Sequence, residues 1–377
     1  MKELTALWLL LARALPGEED RDFAGPGPHP VGVRMVTLVD EERKDEFAGG
    51  PRTLITEIWY PATEEARSRP PMRFREFFGP YPEEGARALR RDLAEVDRDF
   101  RTQAVRNAPL KAGRWPLLIF SHGNGGFRHQ NVFQMDHLAS HGYLVASPDH
   151  TGNSKLSPLP DRAVRYDRRG KGQSAQDRPR DVRFLIDRIL APSGPAVAWL
   201  EGATDPAAVG VLGHSFGGFT AVRVVEEDPR VKAILAMTVA FTGRPTAVPT
   251  LVMLGAQDST IGRAGNLLSR GYFLGCTGPR YLLTLRRGGH FTFTDMDLIH
   301  PNFGDGVGRG KGLNGEEVEF LPAHQAKRII NSYTIAFFER YLRGSEAAGQ
   351  FLLKNHHPDE AEWWVGDLQV KNSASSP

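Results

Sequence analysis

A serine, an aspartate and a histidine follow one another along this chain in an order that suits nucleophilic catalysis. Ser215 lies in Gly213-His214-Ser215-Phe216-Gly217, a G-x-S-x-G pattern, and Asp258 and His290 come later. A serine hydroxyl is a weak nucleophile, so it needs a base within hydrogen-bond reach and an acid that orients the base. The residue types and their order therefore predict acyl-transfer chemistry, with Ser215 as nucleophile, Asp258 as acid and His290 as base.

The residues around Ser215 predict the strand, turn and helix that such a serine requires. An apolar strand over 207–212 runs into the motif, and a periodic helix from Phe216 to about Glu226 follows it. A serine on this kind of turn leaves the common φ/ψ regions, and side chains two positions away would collide, which explains glycine at 213 and 217. We expect the turn to raise the hydroxyl above the edge of a sheet.

The acid and the base are both predicted to follow the ends of strands. Asp258 comes shortly after the apolar run 250–255, and His290 follows the run 281–285 within a Gly-Gly-His loop. Asp258 could instead cap a helix that begins at Ser259, and His290 could be a packed loop histidine. Because all three residues occur in the right order on the right elements, the sequence favours a catalytic triad over these readings.

The transition state of acyl transfer also needs two donors for its oxyanion. The sequence predicts the backbone N–H of Phe216 as one donor, directly after the nucleophile. The other is expected from the loop His122-Gly-Asn-Gly-Gly126, which follows the strand 117–120. Within that loop we predict the Asn124 N–H, with Gly123 as the alternative, and a plain tight turn is the competing interpretation.

Short apolar strands that alternate with helices indicate an α/β fold. Strands over 31–38 and 53–60 predict an antiparallel entry to a mostly parallel twisted sheet with helices on both faces. Residues 62–111, helix-like from Arg87 to Arg101, predict an inserted helical segment near the active site. The later strands are predicted over 116–120, 143–147, 231–237, 250–255 and 281–285, and helices over 129–141, 181–190 and 323–342. The chain is thereby divided into an N-terminal segment (1–29), a catalytic domain (30–345) and a partly disordered C-terminal extension (346–377).

Composition excludes several classes of protein. The chain has 377 residues, 40% of them apolar and 24% charged, and its net charge of +2 gives no reason to expect a nucleic-acid partner. The basic residues, interleaved with Asp and Glu, are expected to form solvated surface ion pairs. Because Cys276 is the single cysteine, no intramolecular disulfide and no cysteine-based metal site can form.

Other polar motifs indicate neither a metal nor a cofactor. His137 and His141 stand four residues apart but lack the acid of an H-E-x-x-H motif. The glycine-rich run 304–312 fails the spacing of phosphate-binding loops and predicts a mobile loop beside the active site. The run 4–15 fits a short amphipathic helix or a weak signal peptide, which leaves the compartment open with the cytoplasm slightly favoured. No integral membrane segment is expected, and the sequence gives no oligomeric state.

Three stretches carry a resemblance to a known family. They are 116–123 (PLLIFSHG) together with 138–146 (LASHGYLVA), the elbow 211–218 (VLGHSFGG), and Gly289-His290 with the Phe-Thr-Phe run after it. In these the chain resembles the α/β-hydrolase superfamily, and within it the bacterial relatives of the plasma-type platelet-activating-factor acetylhydrolases. The resemblance implies an α/β-hydrolase fold and hydrolysis of short acyl esters without metal or calcium.

The resemblance has one departure. The family places its acid after the strand that follows the elbow, where this chain has Thr238. The acid role therefore falls to Asp258, which is the more common position in the superfamily. We expect an intact triad whose pocket geometry belongs to a broader esterase group.

Residues and resemblance together predict a serine carboxylic-ester hydrolase that acts on small esters of short-to-medium acyl chains. The acyl pocket is predicted to be walled by Phe127, Phe216 and the insertion, through Phe74, Phe77 and Phe78, although aromatic residues at such spacing often belong to a core. The alternatives are a serine peptidase or amidase with the same triad, and a non-catalytic binding protein on the same fold.

Overall fold

The structure is a computed structural model, and it describes residues 22–240 and 243–370. The predictions for the stretch 4–15 and for the tail after about Asn372 lie outside these residues. The strands are β1 (Val31–Lys44), β2 (Pro51–Pro61), β3 (Ala104–Arg106), β4 (Trp115–Ser121), β5 (Leu144–Pro148), β6 (Leu156–Pro158), β7 (Ala163–Arg165), β8 (Thr204–His214), β9 (Val231–Met237), β10 (Thr250–Gly255), β11 (Arg280–Leu285), β12 (Arg309–Lys311), β13 (Glu317–Glu319), β14 (Ala361–Val365) and β15 (Leu368–Gln369). The α-helices are α1 (Pro82–Leu89), α2 (Leu93–Asp99), α3 (Val132–Ser140), α4 (Lys171–Leu190), α5 (Phe216–Val225), α6 (Gly262–Gly275), α7 (Met296–Ile299), α8 (Ala323–Arg343) and α9 (Glu346–Leu352).

One large sheet organises the described residues. Its strand order is β15-β14-β11-β10-β9-β8-β4-β5-β2-β1-β3. The central strands from β11 to β5 run parallel to their neighbours. The hairpin of β1 and β2 joins β5 antiparallel, and β14 joins β11 antiparallel. The prediction of a mostly parallel sheet with an antiparallel entry is confirmed.

Alternation along each central strand gives the sheet two apolar faces. In β4, Leu118 and Phe120 belong to one hydrophobic cluster, while Leu117 and Ile119 belong to another. The first cluster includes the apolar sides of α3 and α8, and the second those of α4, α5 and α6. Because successive side chains of a strand point to opposite faces, helices on both faces are needed to bury them.

The inserted segment 62–111 contains two short α-helices where the sequence predicted one. Arg90 has a φ of 56° and ends α1 in the left-handed region, and Asp92 begins α2 by accepting a hydrogen bond from the N–H of Ala94. Two short helices therefore replace the helix predicted from Arg87 to Arg101, because a left-handed residue breaks the helical hydrogen-bond ladder.

The predicted C-terminal extension joins the main sheet instead of lying outside the domain. Its strand β14 pairs with β11 from Tyr281↔Val365 to Leu285↔Ala361, and Trp363 is fully buried in the same cluster as α8. The acidic residues around this strand hide its apolar positions from a reading of local pattern alone. Residues 346–370 are thus part of the fold that holds the site.

Helix α4 begins ten residues earlier than predicted. The sequence indicated a helix over 181–190, whereas the structure has Lys171–Leu190 with Pro179 inside it. A proline and a run of charged residues argue against a helix locally, but three of these early residues, Ser174, Arg178 and Pro179, are buried against the rest of the fold. This extension places Arg178 below the site described next.

Candidate active site

The predicted triad residues all follow strands whose carboxyl ends meet at one edge of the sheet. Ser215 follows β8, Asp258 follows β10, and His290 follows β11. Nδ1 of His290 is 2.8 Å from Oδ2 of Asp258. The Nε2–H of His214, the residue before the serine, donates to the His290 carbonyl oxygen at 2.9 Å. Sheets of this kind place ligands at the carboxyl ends of their strands, so the three residues lie at the edge of the sheet where a site is expected.

Ser215 sits on a strained elbow that only glycine neighbours allow. Its φ is 54° and its ψ is −119°, a region that costs about 1–3 kcal/mol for a residue other than glycine. A Cβ on Gly213 would lie 2.3 Å from the Gly217 carbonyl, and a Cβ on Gly217 would lie 1.7 Å from the Ser121 carbonyl oxygen. The two motif glycines therefore let α5 approach β8 and β4 closely enough to hold the turn.

Replacing Gly217 by alanine is expected to destabilise the protein and misplace the serine. The added Cβ must push back the Ser121 backbone, and overpacking of this kind costs about 1–3 kcal/mol or more. Gly271→Ala in α6 is the matched control, because nothing lies within 4 Å of a Cβ there. Thermal unfolding of both variants measures the difference, and a Gly217→Ala protein as stable as Gly271→Ala would contradict the packing described.

The carboxylate of Asp258 is fully buried and each of its oxygens has its own partners. Oδ1 accepts from the N–H groups of Thr260 at 3.0 Å and Ile261 at 2.9 Å, while Oδ2 faces His290. Oδ1 thus caps the turn 258–261, whereas α6 begins at Gly262 and not at Ser259 as weighed from the sequence. Thr238, at the position where the resembling family places its acid, is fully buried with a φ of 49°.

Asp305 joins the acid loop to the histidine loop. Its Oδ1 accepts from the N–H groups of His290 at 3.0 Å and Ser259 at 3.1 Å, and its Oδ2 accepts from Oγ1 of Thr260 at 2.6 Å. The N–H of Phe291 donates to the Asp305 carbonyl oxygen at 2.8 Å. The run 304–312, predicted as a mobile loop, lies beside the site but is tied to it by these bonds. Sequence reasoning missed Asp305, since an acid in a glycine-rich run gives no signal of its partners.

The loop after β4 supports Asn124 over Gly123 as an oxyanion donor. The Gly123 N–H already donates to Oε1 of Gln130 at 3.1 Å, whereas Asn124 is exposed at the tip of the loop. Phe216 is the first residue of α5, so its N–H has no acceptor within the helix. Both predicted donors thus lie at the carboxyl edge of the sheet, on the segments that follow β4 and β8.

Gln130 and His214 connect the two sides of the site. Nε2 of Gln130 donates to Nδ1 of His214 at 3.0 Å, which leaves Nε2–H of His214 to donate to the His290 carbonyl. Burial lowers the pKa of His214 well below its ordinary value, and the nearby His290 lowers it further. The neutral imidazole can therefore accept on one nitrogen and donate on the other, as this chain of bonds requires.

A second Ser-His-Asp set lies beneath the oxyanion loop. Oγ of Ser121 is 2.9 Å from Nε2 of His150, and Nδ1 of His150 is 2.9 Å from Oδ2 of Asp181. All three are fully buried, and Asp181 also forms a 2.7 Å ion pair with Arg52. Burial lowers the pKa of His150 to about 3. This set has the bonds of a triad but no exposed nucleophile, which favours Ser215.

The predicted pocket residues pack mainly around a buried histidine. The ring of His129 is stacked on Phe77 at 4.4 Å and on Phe127 at 4.7 Å between centroids. Phe74 and Phe78 meet the same imidazole edge-on at 5.2 and 5.3 Å. These phenylalanines belong to one hydrophobic cluster, which matches the core interpretation weighed for them. Their role as walls of an acyl pocket stays a prediction.

The remaining polar motifs have structural partners. Nε2 of His137 is 3.1 Å from the carbonyl oxygen of Phe23, and Nε2 of His141 is 3.1 Å from that of Gly25. Over residues 22–240 and 243–370, no group of three or more His, Cys, Asp or Glu is arranged to hold a metal ion. Within the same residues, no helix has both the length and the apolar character needed to cross a membrane.

Comparison with known proteins supports the fold described above. A family model described as platelet-activating factor acetylhydrolase, isoform II, matches residues 20–159, and one described as alpha/beta hydrolase fold matches residues 116–245. The platelet-activating factor acetylhydrolase of Gallus gallus is 24% identical over 85% of this chain and 83% of its own length. That of Cavia porcellus is 24% identical over 63% of this chain, and the match spans only 60% of the relative's length.

A solved structure extends the likeness to nearly the whole chain. A ferulic acid esterase from Streptomyces cinnamoneus superimposes with a TM-score of 0.69 and 28% identity, covering 86% of this chain and 93% of its own. The sheet, the elbow after β8 and these matches show that the protein has an α/β-hydrolase fold. Within that class, the chain is related to the platelet-activating factor acetylhydrolases.

Proposed function

We propose that this protein is a serine carboxylic-ester hydrolase. The observation that carries the proposal is the pairing of Asp258 and His290 at 2.8 Å, on the same sheet edge as the strained Ser215. The names of its relatives support ester chemistry, since an acetylhydrolase, a cutinase from Thermobifida alba and a ferulic acid esterase are all ester hydrolases. The proposed substrates are small esters with short-to-medium acyl groups.

The positions of the protons in the proposed triad fit a nucleophilic mechanism. Asp258 accepts from Nδ1–H of His290, so Nε2 is the unprotonated nitrogen. As Ser215 Oγ attacks the ester carbonyl, Nε2 takes the hydroxyl proton. The same proton then passes to the leaving alcohol, and an acyl-enzyme remains. Water that loses a proton to Nε2 releases the acid and restores Ser215.

The charge that develops on the carbonyl oxygen during both steps needs fixed donors. The N–H groups of Phe216 and Asn124 are proposed to supply them, because each follows the carboxyl end of a parallel strand next to Ser215. Removing one such donor typically lowers kcat about 10²–10³-fold. Backbone donors require no reorganisation when the oxyanion forms, which is their advantage over mobile side chains.

A pair of matched substrates tests the proposal against its alternatives. Purified protein is assayed with 4-nitrophenyl acetate and with 4-nitroacetanilide, which differ in the bond that is cleaved. We expect turnover of the ester and little of the anilide. Comparable kcat/KM for the two would favour a peptidase or amidase, and turnover of neither, with an intact fold by circular dichroism, would favour a binding protein.

Acyl chain length is expected to limit the reaction. If Phe127, Phe216 and the insertion bound a modest pocket, 4-nitrophenyl esters longer than about eight carbons should lose kcat/KM through poor fit. The measurement is a series from acetate to laurate with one leaving group, kept below the concentrations at which the esters aggregate. Equal kcat/KM across the series would contradict the pocket but not the triad.

A further inference from the structure

Arg178, on α4, is a buried arginine whose contacts call for an explanation. Its side chain is fully buried, and within residues 22–240 and 243–370 its Nε and Nη1 have no hydrogen-bond partner. Asp181, three residues further along the helix, is already engaged by Arg52 at 2.7 Å and by His150 at 2.9 Å. Burying a guanidinium carries a large desolvation cost, so the contacts that Arg178 does make, with His122 and with the Phe216 ring, are informative.

Those contacts reach the two segments that carry the proposed oxyanion donors. Nη2 of Arg178 donates a short hydrogen bond to the carbonyl oxygen of His122, where the oxyanion loop begins. On its other side, Cζ lies 4.7 Å from the ring centroid of Phe216, and Phe219 stacks on the same ring at 5.7 Å. One rigid, planar cation therefore joins the loop after β4 to the first residue of α5.

The backbone of the loop sets the direction in which the Asn124 N–H points. In a trans peptide the C=O and the next N–H point opposite ways. The Gly123 carbonyl is held by Nδ1–H of His122 at 2.6 Å and by the N–H of Gly126 at 3.0 Å, which turns the Asn124 N–H to the opposite side. Because His122 is held in turn by Arg178, a shift of the guanidinium would move this peptide as well.

We infer that Arg178 is a positioning residue for the oxyanion hole, which sets the two backbone donors of Asn124 and Phe216 relative to each other. The inference rests on the proposed esterase function. It assigns Arg178 no contact with substrate and no proton transfer. The residue acts through the His122 carbonyl and the Phe216 ring, and its buried positive charge also favours negative charge developing nearby.

The charge of Arg178 persists under assay conditions. Burial lowers its pKa to about 9, with Asp181 opposing that shift and Arg52 adding to it. The guanidinium therefore remains a cation at neutral pH. Lysine at this position keeps the charge but lacks the planar group that bonds to a carbonyl and stacks on a ring at once.

The test uses Arg178→Met, Arg178→Lys and the control Arg343→Met. Arg343 makes the same kinds of contact at the amino end of β5, where Nη1 donates to the His141 carbonyl at 2.8 Å and Cζ lies 4.3 Å from the Tyr143 ring. The fraction of active protein is first measured as the number of fluorophosphonate groups bound per protein molecule. The kcat and KM for 4-nitrophenyl acetate and the inhibition constant of an alkyl trifluoromethyl ketone, whose serine adduct carries an oxyanion, are then measured per active site.

We expect Arg178→Met to lower kcat about 10–100-fold with KM changed less than about twofold. The inhibition constant of the ketone should rise by about the same factor as kcat falls. Arg178→Lys should recover part of the loss, and Arg343→Met should keep the wild-type kcat. If Arg178→Met folds poorly, the comparison is made with Arg178→Lys and Phe216→Leu. The second of these removes the ring on which Arg178 stacks but keeps the backbone N–H at position 216.

Two results would overturn the inference. One is a wild-type kcat and ketone affinity per active site in the Arg178 variants, with only their melting temperature or active fraction lowered, because that would indicate a purely structural role. The other is an equal loss in Arg343→Met. The failure of the proposed function is a separate result, since wild-type protein would then neither be labelled at Ser215 nor hydrolyse the ester.

Discussion

Replacing Ser215 with alanine is expected to lower kcat for 4-nitrophenyl acetate by roughly 10⁴–10⁶-fold, which is the scale seen when a nucleophilic serine is removed. The fold should survive, because alanine keeps the Cβ that the elbow already accommodates. The measurement is single-turnover and steady-state hydrolysis, with folding checked by thermal unfolding. Any activity left would come from the oxyanion donors and substrate binding alone.

The second Ser-His-Asp set supplies the matched control. Ser121→Ala removes a hydroxyl that has an imidazole partner at 2.9 Å and an acid behind that imidazole, but that is fully buried under the oxyanion loop. We expect Ser121→Ala protein to form an acyl-enzyme at Ser215, with a modest loss of stability from the unpaired His150. Loss of all activity in Ser121→Ala together with activity near wild type in Ser215→Ala would reverse the assignment of the nucleophile.

Asp258→Asn is expected to lower kcat about 10⁴-fold while leaving the protein folded. The amide oxygen can still accept from the N–H groups of Thr260 and Ile261. Its NH₂ group, however, would donate to Nδ1 of His290 and shift the imidazole to the tautomer with a proton on Nε2. That nitrogen could then no longer take the proton of Ser215. Steady-state kinetics at neutral pH measure the effect.

A second buried aspartate separates this effect from the loss of a carboxylate in general. Asp228 is 3% exposed and caps a turn by accepting from the Arg230 N–H at 3.1 Å, but it precedes β9 at the opposite edge of the sheet. Asp228→Asn should keep kcat within about twofold of wild type, as expected for a site remote from the reacting atoms. An Asp258→Asn protein with similarly preserved kcat would contradict the role given to Asp258.

The sequence predicted the central strands well because their signals are local. The strands at 231–237 and 250–255 have the predicted limits, since each is an apolar run with polar or proline-containing boundaries. The order Ser215, Asp258, His290 then needed only the rule that parallel strands bring their carboxyl ends to one edge. Asp258 and His290 do contact each other as expected from that rule.

The parts that the sequence missed depend on partners far along the chain. Three arginines, Arg52, Arg128 and Arg178, are at most 3% exposed, whereas the interleaved charges predicted surface pairs. Asp305 joins the loops of Asp258 and His290, and a local sequence pattern does not show that these loops meet. Strand β14 was missed because its pairing with β11, which lies far away along the chain, leaves no local signal in the sequence. Local composition describes what a residue can do, and tertiary contacts decide which of those options is used.

The identity of the residue that a fluorophosphonate modifies tests the central claim most directly. Folded wild-type protein is treated with the probe, digested and mapped by mass spectrometry, beside a heat-unfolded sample that reveals non-specific reaction. We predict stoichiometric modification of Ser215 in the folded protein only, in step with the loss of hydrolysis of 4-nitrophenyl acetate. Modification at another residue, or full ester hydrolysis by protein labelled at Ser215, would contradict the account.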